Sequence, residues 1–441
     1  MRWMTWQEEY KSKVVTAGEA AKLVKSGDVV GFGLAFGGPS AHLVDALLDR
    51  AGELEDVRIL DPMSPRALKL HDPEVMEALK GHITYSAMVV FPPNREIFKT
   101  NSADYQTLQS SDCGSRMGEI CNVAMVMVCP PDAGMINLGL SNFLTPELIA
   151  GANIVIAEVN DKMPKVYGDN WIPVSAFDYF VEHSSPIPEF KRKGEPSELE
   201  MAIAENVASL IKSGDCIQMG LGTLPEAIIR LLRDKGKKDL GCHTEMFPMG
   251  LPDLVREGIV TNKLKKLHPG KTVASFCMGD HDMYDYVTEN PDCIFFPTSY
   301  TNAPHVLRQV DNLIAINMDL EVDFMGQLTA ETVNGNRLVG TTGGQLDFVI
   351  GSAWSKGGRA INVLPSTRTL SSGEKVSTIV SGLPPGSHVT IPHMYTQFVV
   401  TEYGIADLWL KTRRERAEAL ISIAHPDFRA ELRREAMKRL Y

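Results

Sequence analysis

Short apolar runs, amphipathic stretches and glycine turns follow one another along the chain, the alternation of an α/β protein. The runs at residues 123–129 and 153–159 are apolar at nearly every position and predict strands buried on both faces. Further strands are predicted at 57–60, 216–219, 240–244, 313–316, 360–364, 376–380 and 398–401. The last thirty residues are helical in pattern, 413–424 and 427–440, broken at His425-Pro426, and predict a closing helical pair.

Superimposed on this alternation is an internal repeat. Residues 21–34, AKLVKSGDVVGFGL, align without a gap on 208–221, ASLIKSGDCIQMGL, sharing Lys-Ser-Gly-Asp and a closing Gly-Leu. Both copies continue into a Pro-x-Ala (Pro39, Pro225), an amphipathic helix and a second strand. Two related open α/β domains follow from this. The proline-rich, charged stretch 184–196 reads as the connection, which divides the chain into 1–190 and 191–441.

The second copy carries candidate chemistry. Gly220-Leu221-Gly222 lets the backbone turn with its N–H groups exposed, and the helix after it has Thr223 and Glu226 spaced as a capping box, Pro225 in its first turn, and Gly236 at its end. The strand at 240–244 then places Glu245 at its carboxyl end, where open α/β sheets bind ligands. A glutamate can attack an acyl carbon, and backbone donors can hold the oxyanion that results. Taken alone, the segment could equally be a solvated acid beside an ordinary turn. The first copy has Asp61-Pro-Met63 where the second has Glu245, so one half is expected to do chemistry and the other to shape a pocket.

Composition narrows the class. At 441 residues, 44% apolar and 22% charged, the chain suits a globular enzyme of two or three domains. A net charge of −11, with no basic block beyond short runs such as Lys191-Arg-Lys193, argues against nucleic acid. The start lacks a signal peptide and no run is long enough to span a membrane, so a cytoplasmic protein is expected. Seven scattered cysteines without a C-x-x-C pair suit buried free thiols in a reducing compartment, and no metal site is expected.

Other motifs carry less. The glycines from Gly31 to Gly38 nearly fit a dinucleotide fingerprint, but the third falls one position late, which disfavours an NAD-dependent oxidoreductase. A second glycine cluster, Gly340-Thr-Thr-Gly-Gly344-Gln-Leu-Asp-Phe348, could approach a ligand closely, and Lys356 beside glycines could meet a phosphate. His243 shares a strand face with Glu245 and is either a tuning group or a core histidine. No G-x-S-x-G elbow occurs.

With Gly220-Leu-Gly-Thr-Leu-Pro225, Leu240-Gly-Cys-His-Thr-Glu-Met246, Gly258-Ile-Val-Thr-Asn262, Pro269-Gly-Lys271, Ser299-Tyr-Thr-Asn302, Gly343-Gly-Gln-Leu-Asp-Phe348, Val400-Thr-Glu-Tyr-Gly404 and Ile423-Ala-His-Pro-Asp-Phe428 in one order, the chain resembles the acetyl-CoA hydrolase/transferase family, a branch of the class I CoA transferases, most closely its 4-hydroxybutyrate CoA-transferase-like members. Met249, Ala303 and Thr329 stand where that pattern often has Asp, Asp and Asn. The resemblance implies that Glu245 carries CoA as a glutamyl thioester. Gly220, Leu221, Gly222, Thr223, Leu224 and Gly344 would bind CoA and form the oxyanion hole, with Gly340 and Lys356 as further CoA contacts. It implies a CoA transferase acting on short-chain carboxylic acids, with CoA as substrate and no resident cofactor; an acyl-CoA hydrolase using the same glutamate and a non-catalytic CoA-binding regulator are the alternatives. A homodimer or higher homo-oligomer is expected. From the repeat, Leu34, Phe36 and Met63 are expected to make an apolar acyl pocket, and neither first-copy loop offers an arginine for a dicarboxylate such as succinate.

Overall fold

Each copy of the repeat opens a parallel sheet of its own. The structure, a computed structural model, describes residues 4–190 and 194–440, so the Lys191-Arg-Lys193 run lies outside the described residues. Two compact units are present: residues 1–191 with 273–301, and 192–272 with 302–441. The 273–301 stretch, C-terminal to the connection in sequence, thus belongs to the first unit.

In the first unit, strands β1 (Val29–Phe32), β2 (Val57–Asp61), β3 (Ile83–Ala87), β4 (Asp104–Tyr105), β5 (Val123–Val128), β6 (Ile154–Val159) and β7 (Tyr179–Glu182) form one parallel sheet in the order β7-β6-β5-β1-β2-β3-β4. All six residues of β5 are buried, which explains its unbroken apolar run. Helix α1 (Ala41–Leu48) crosses from β1 to β2 and buries Leu43, Val44 and Leu47 against the sheet.

The second unit begins with α2 (Glu198–Leu210) and repeats the plan with β8 (Cys216–Met219), α3 (Thr223–Asp234) and β9 (Gly241–Cys242). Strands β10 (Leu313–Met318), β11 (Arg359–Val363), β12 (Phe398–Thr401) and β13 (Gly404–Asp407) complete a sheet ordered β9-β8-β10-β11-β12-β13. Only the β12–β13 pair is antiparallel. Strand order therefore reverses between β8 and β10, which opens a crevice at their carboxyl ends. Helix α4 (Gln345–Trp354) leads into β11, and the closing pair α5 (Arg413–Ser422) and α6 (Pro426–Leu440) packs Ala417, Leu420, Ile421, Leu432 and Ala436 into the core.

Two strand expectations need correction. The 376–380 run is two strands, because Lys375–Ser377 pairs antiparallel with Thr367–Thr369 whereas Ile379–Val380 pairs parallel with Glu321–Asp323. The 240–244 run pairs as a strand only over Gly241–Cys242, since it lies at the sheet edge. Among the described residues no helix is long and apolar enough to cross a membrane.

Candidate active site

Strand β8 is buried at all four positions and delivers the chain to Gly220 at the carboxyl edge of the second sheet. Gly222 takes φ +131°, a conformation that only glycine adopts without strain, and is the residue that caps α3. The capping box expected at Thr223 is absent. Thr223 is the first helical residue, and its hydroxyl donates to Glu200 of α2 instead. Beyond the cap α3 behaves as its pattern implies, burying Leu224, Ala227, Ile228, Leu231 and Leu232 and ending at Gly236 with φ +62°. A side chain at Gly220 would meet nothing, so the turn is open to approach, and beside it Leu221, Leu224, Ile316 and Asn317 line a cavity of about 120 Å³ in the β8/β10 crevice.

Strand β9 has two residues and no strand on its outer side, so side chains serve in place of a neighbour. Asn262 Oδ1 accepts from Cys242 N–H at 2.8 Å, and Lys265 Nζ donates to the Cys242 carbonyl at 2.8 Å and to that of Lys271 at 2.6 Å. Burial lowers the lysine's pKa, and the two carbonyls replace the water its ammonium has lost. On the inner side His243 N–H bonds Ile217 O at 3.2 Å, while Thr244 Oγ1 donates to Met246 O at 3.0 Å and to Met219 O at 3.4 Å. The turn carrying Glu245 is thereby tied to the last residue of β8. His243 itself is fully buried, a core side chain, and Glu245 is half-buried.

The third piece is the N-terminus of α4. Gly343 has φ +48°, and Gly344 caps the helix with no side chain bonded to the helix end. A Cβ built on Gly344 would lie 2.9 Å from Glu245 Cδ and would collide with the Asn302 amide, so the bare backbone lies directly against the carboxylate. Asn302 Nδ2 donates to Glu245 Oε2. The first N–H groups of a helix lack partners within it and carry partial positive charge, which favours an anion at this position. A carboxylate held by one amide beside such donors can attack an acyl carbon, and the same donors can take up the negative charge that forms.

The structure brings Glu245, Gly344 and the Gly220–Gly222 turn to one sheet edge. Gly340 is fixed differently: its N–H bonds Glu331 O at 3.0 Å and a Cβ there would strike Ala330 O, so this glycine fits a close backbone crossing. Lys356 is exposed beyond the far end of α4, where its carbonyl accepts from Asn312 N–H at 2.8 Å, about 15 Å of helix away from Gly344. Sequence reasoning assigned no role to Asn302, although its Ser-Tyr-Thr-Asn motif was visible. All seven cysteines are buried and free, and burial pushes Cys216 up to about 11 and Cys129 up to about 12, far from thiolate chemistry. Among the described residues no group of three or more His, Cys, Asp or Glu is gathered as metal ligands would be.

The equivalent edge of the first unit carries the counterparts of these groups. Leu34, Phe36 and Met63 are all buried, and Ala35 N–H bonds Met63 O at 2.7 Å. Asp61, counterpart of Glu245, is buried, accepts from Tyr85 Oη at 2.7 Å and is pushed up to about 7 by burial. The arginine missing from both loops comes three residues later: Arg66 Nη1 lies 3.3 Å from Ala35 O and 3.2 Å from Gly38 O, with its guanidinium 5.2 Å from the Phe36 ring centre.

A carboxylate against the N-terminal turn of α4, at the carboxyl edge of a largely parallel sheet, stands where α/β folds bind ligands, and sequence comparison narrows the class. Residues 1–190 match the acetyl-CoA hydrolase/transferase N-terminal domain and residues 279–436 its C-terminal domain. The 4-hydroxybutyrate coenzyme A transferase of Clostridium kluyveri is 39% identical over 440 residues, covering 99% of this chain and 100% of the relative. The probable butyrate:acetyl-CoA coenzyme A-transferase of Syntrophomonas wolfei is 38% identical, covering 98% and 96%. Among solved structures, RipA from Yersinia pestis superposes with a TM-score of 0.88 at 33% identity, covering 99% of this chain and 100% of that one. The chain belongs to the acetyl-CoA hydrolase/transferase family, and within it the enzyme is of the CoA-transferase class.

Proposed function

We propose that this enzyme moves CoA between an acyl-CoA and a short-chain carboxylic acid, of the acetate, butyrate or 4-hydroxybutyrate type, by ping-pong chemistry on Glu245. The observation carrying this reading is the Glu245 carboxylate, bonded by Asn302 and lying against the bare backbone of Gly344. Glu245 attacks the thioester carbonyl, and the oxyanion is held by the backbone N–H groups of Leu221 and Gly344. The C–S bond breaks to give a mixed anhydride and CoA thiolate. The thiolate then attacks the glutamyl carbonyl, releases the first acid as carboxylate and leaves glutamyl-CoA. A second acid repeats the steps in reverse, so the thioester's energy stays in a covalent bond. Gly220, Gly222, Thr223 and Leu224 would meet CoA through the backbone of the open turn, with Gly340 and Lys356 as outlying contacts. The buried free thiols support work in the reducing cytoplasm.

Hydrolysis by the same glutamate differs only in letting water attack the glutamyl-CoA. Acyl-CoA loss measured with and without added acid separates the two: the transferase is expected to stall after about one equivalent per site without acceptor and to turn over freely with it. Steady loss without acceptor would make the enzyme a hydrolase. In a panel of acetate, butyrate, 4-hydroxybutyrate and succinate, the monocarboxylates are expected to be preferred, with about 1–3 kcal/mol of discrimination per methylene. Succinate as the best acceptor would refute the short-chain assignment.

A further inference from the structure

The N-terminal turn of α4 carries no capping side chain, yet its direction decides where the Gly344 N–H points. The side chain of the next residue, Gln345, turns inward. It is buried, and its Nε2 donates to Asp319 Oδ1 at 2.8 Å and lies 3.4 Å from Asn362 Oδ1. Asp319 follows the last residue of β10 and is itself fixed by its N–H to Val363 O at 2.9 Å, at the end of β11. The two contacts of Gln345, the shorter one to Asp319, thus join the carboxyl edge of two central strands to the turn that faces Glu245. We propose that Asp319 is a positioning residue for the reaction, setting through Gln345 the aim of the Gly344 N–H at the acyl group on Glu245.

The inference rests on the reading of Glu245 as nucleophile and Gly344 as oxyanion donor. It is supported by the cost of the arrangement. Asp319 is 4% exposed, and its Oδ2 is buried without a hydrogen-bond partner among the described residues. Burial pushes the carboxyl up to about 8, so the folded protein keeps a proton that the unfolded chain releases near pH 4. Between those values the folded state binds the extra proton, so stability falls as pH rises and levels off above about 8. An asparagine would offer Gln345 the same acceptor oxygen without that loss, which makes the two requirements experimentally separable.

The test uses the full chain with butyryl-CoA and acetate, measuring kcat and KM for Asp319→Ala, Asp319→Asn, Gln345→Met and the Asp319→Ala/Gln345→Met double variant, with Glu245→Gln as reference. Asp319→Ala and Gln345→Met are each expected to lower kcat by about 10–100-fold, the scale of a misplacement of about 1 Å, with KM for butyryl-CoA changed less than about threefold. The double variant should lose no more than either single one. Asp319→Asn should recover kcat to within about threefold. Full kcat in Asp319→Ala, multiplicative losses in the double variant, or a rise in KM alone would overturn the proposal while Glu245→Gln remained inactive. An active Glu245→Gln variant would instead overturn the nucleophile assignment. If Asp319→Ala does not fold, Gln345→Met and Asp319→Asn carry the same comparison.

Discussion

Glutamine at position 245 is expected to abolish CoA transfer, lowering kcat by roughly 10³–10⁶-fold, the scale on which removal of a covalent nucleophile is felt. The substitution keeps the side chain's size, and its amide oxygen can still accept from Asn302, so circular dichroism and the thermal midpoint should stay close to those of the parent. What is lost is the anionic oxygen that the proposed mechanism uses to form the acyl bond. The parent enzyme incubated with acyl-CoA and then borohydride should yield a modified peptide containing Glu245, detected by mass spectrometry, and the variant none. Full activity in the variant would remove Glu245 from the mechanism, whatever other residues surround the turn.

The second large effect is expected from a single methyl group. Gly344→Ala places a Cβ 2.9 Å from Glu245 Cδ and against the Asn302 amide, so the carboxylate must move or the helix turn must retreat. On the proposed mechanism, either displacement would separate Glu245 from the Gly344 N–H it works with. A loss of about 10²–10³ in kcat is expected, as for removal of one oxyanion-hole donor. The backbone itself gives no reason for instability, since Gly344 has φ −86°, which any residue adopts. A folded Gly344→Ala variant with unchanged kcat would show that this turn does not contact the reacting groups.

Much of the geometry of this site was legible because its residues lie where a short-range pattern ends. Glu245 closes a predicted strand, and Gly220 and Gly222 sit between a buried run and a helix of clear periodicity, so their convergence followed from α/β topology. The repeat gave the shared plan of both sheets. Sequence spacing failed where a distant residue intervened. Thr223 and Glu226 have the separation of a capping box, but Glu200 on the preceding helix takes the threonine hydroxyl. Asn302 and Asp319 are 57 and 26 residues from the groups they bond, and only the folded sheet brings them there. The 376–380 run reads as one strand because local hydrophobicity cannot tell that its two ends pair with different neighbours.

The clamp of Asn262 and Lys265 on β9 also sets how readily this part of the molecule opens. A strand of two residues, completed by side chains, can detach by breaking a handful of bonds, whereas Ile314, Ala315 and Ile316 in β10 are enclosed by strands on both sides and open only with the sheet. In native-state hydrogen–deuterium exchange the amide of Cys242 should therefore lose protection before those of β10. Substituting Lys265 by methionine should widen that difference, because it frees the Cys242 carbonyl. Glu245, three residues past Cys242, is then expected to lie next to the part of the sheet that opens first, with Thr244 holding its turn to the end of β8.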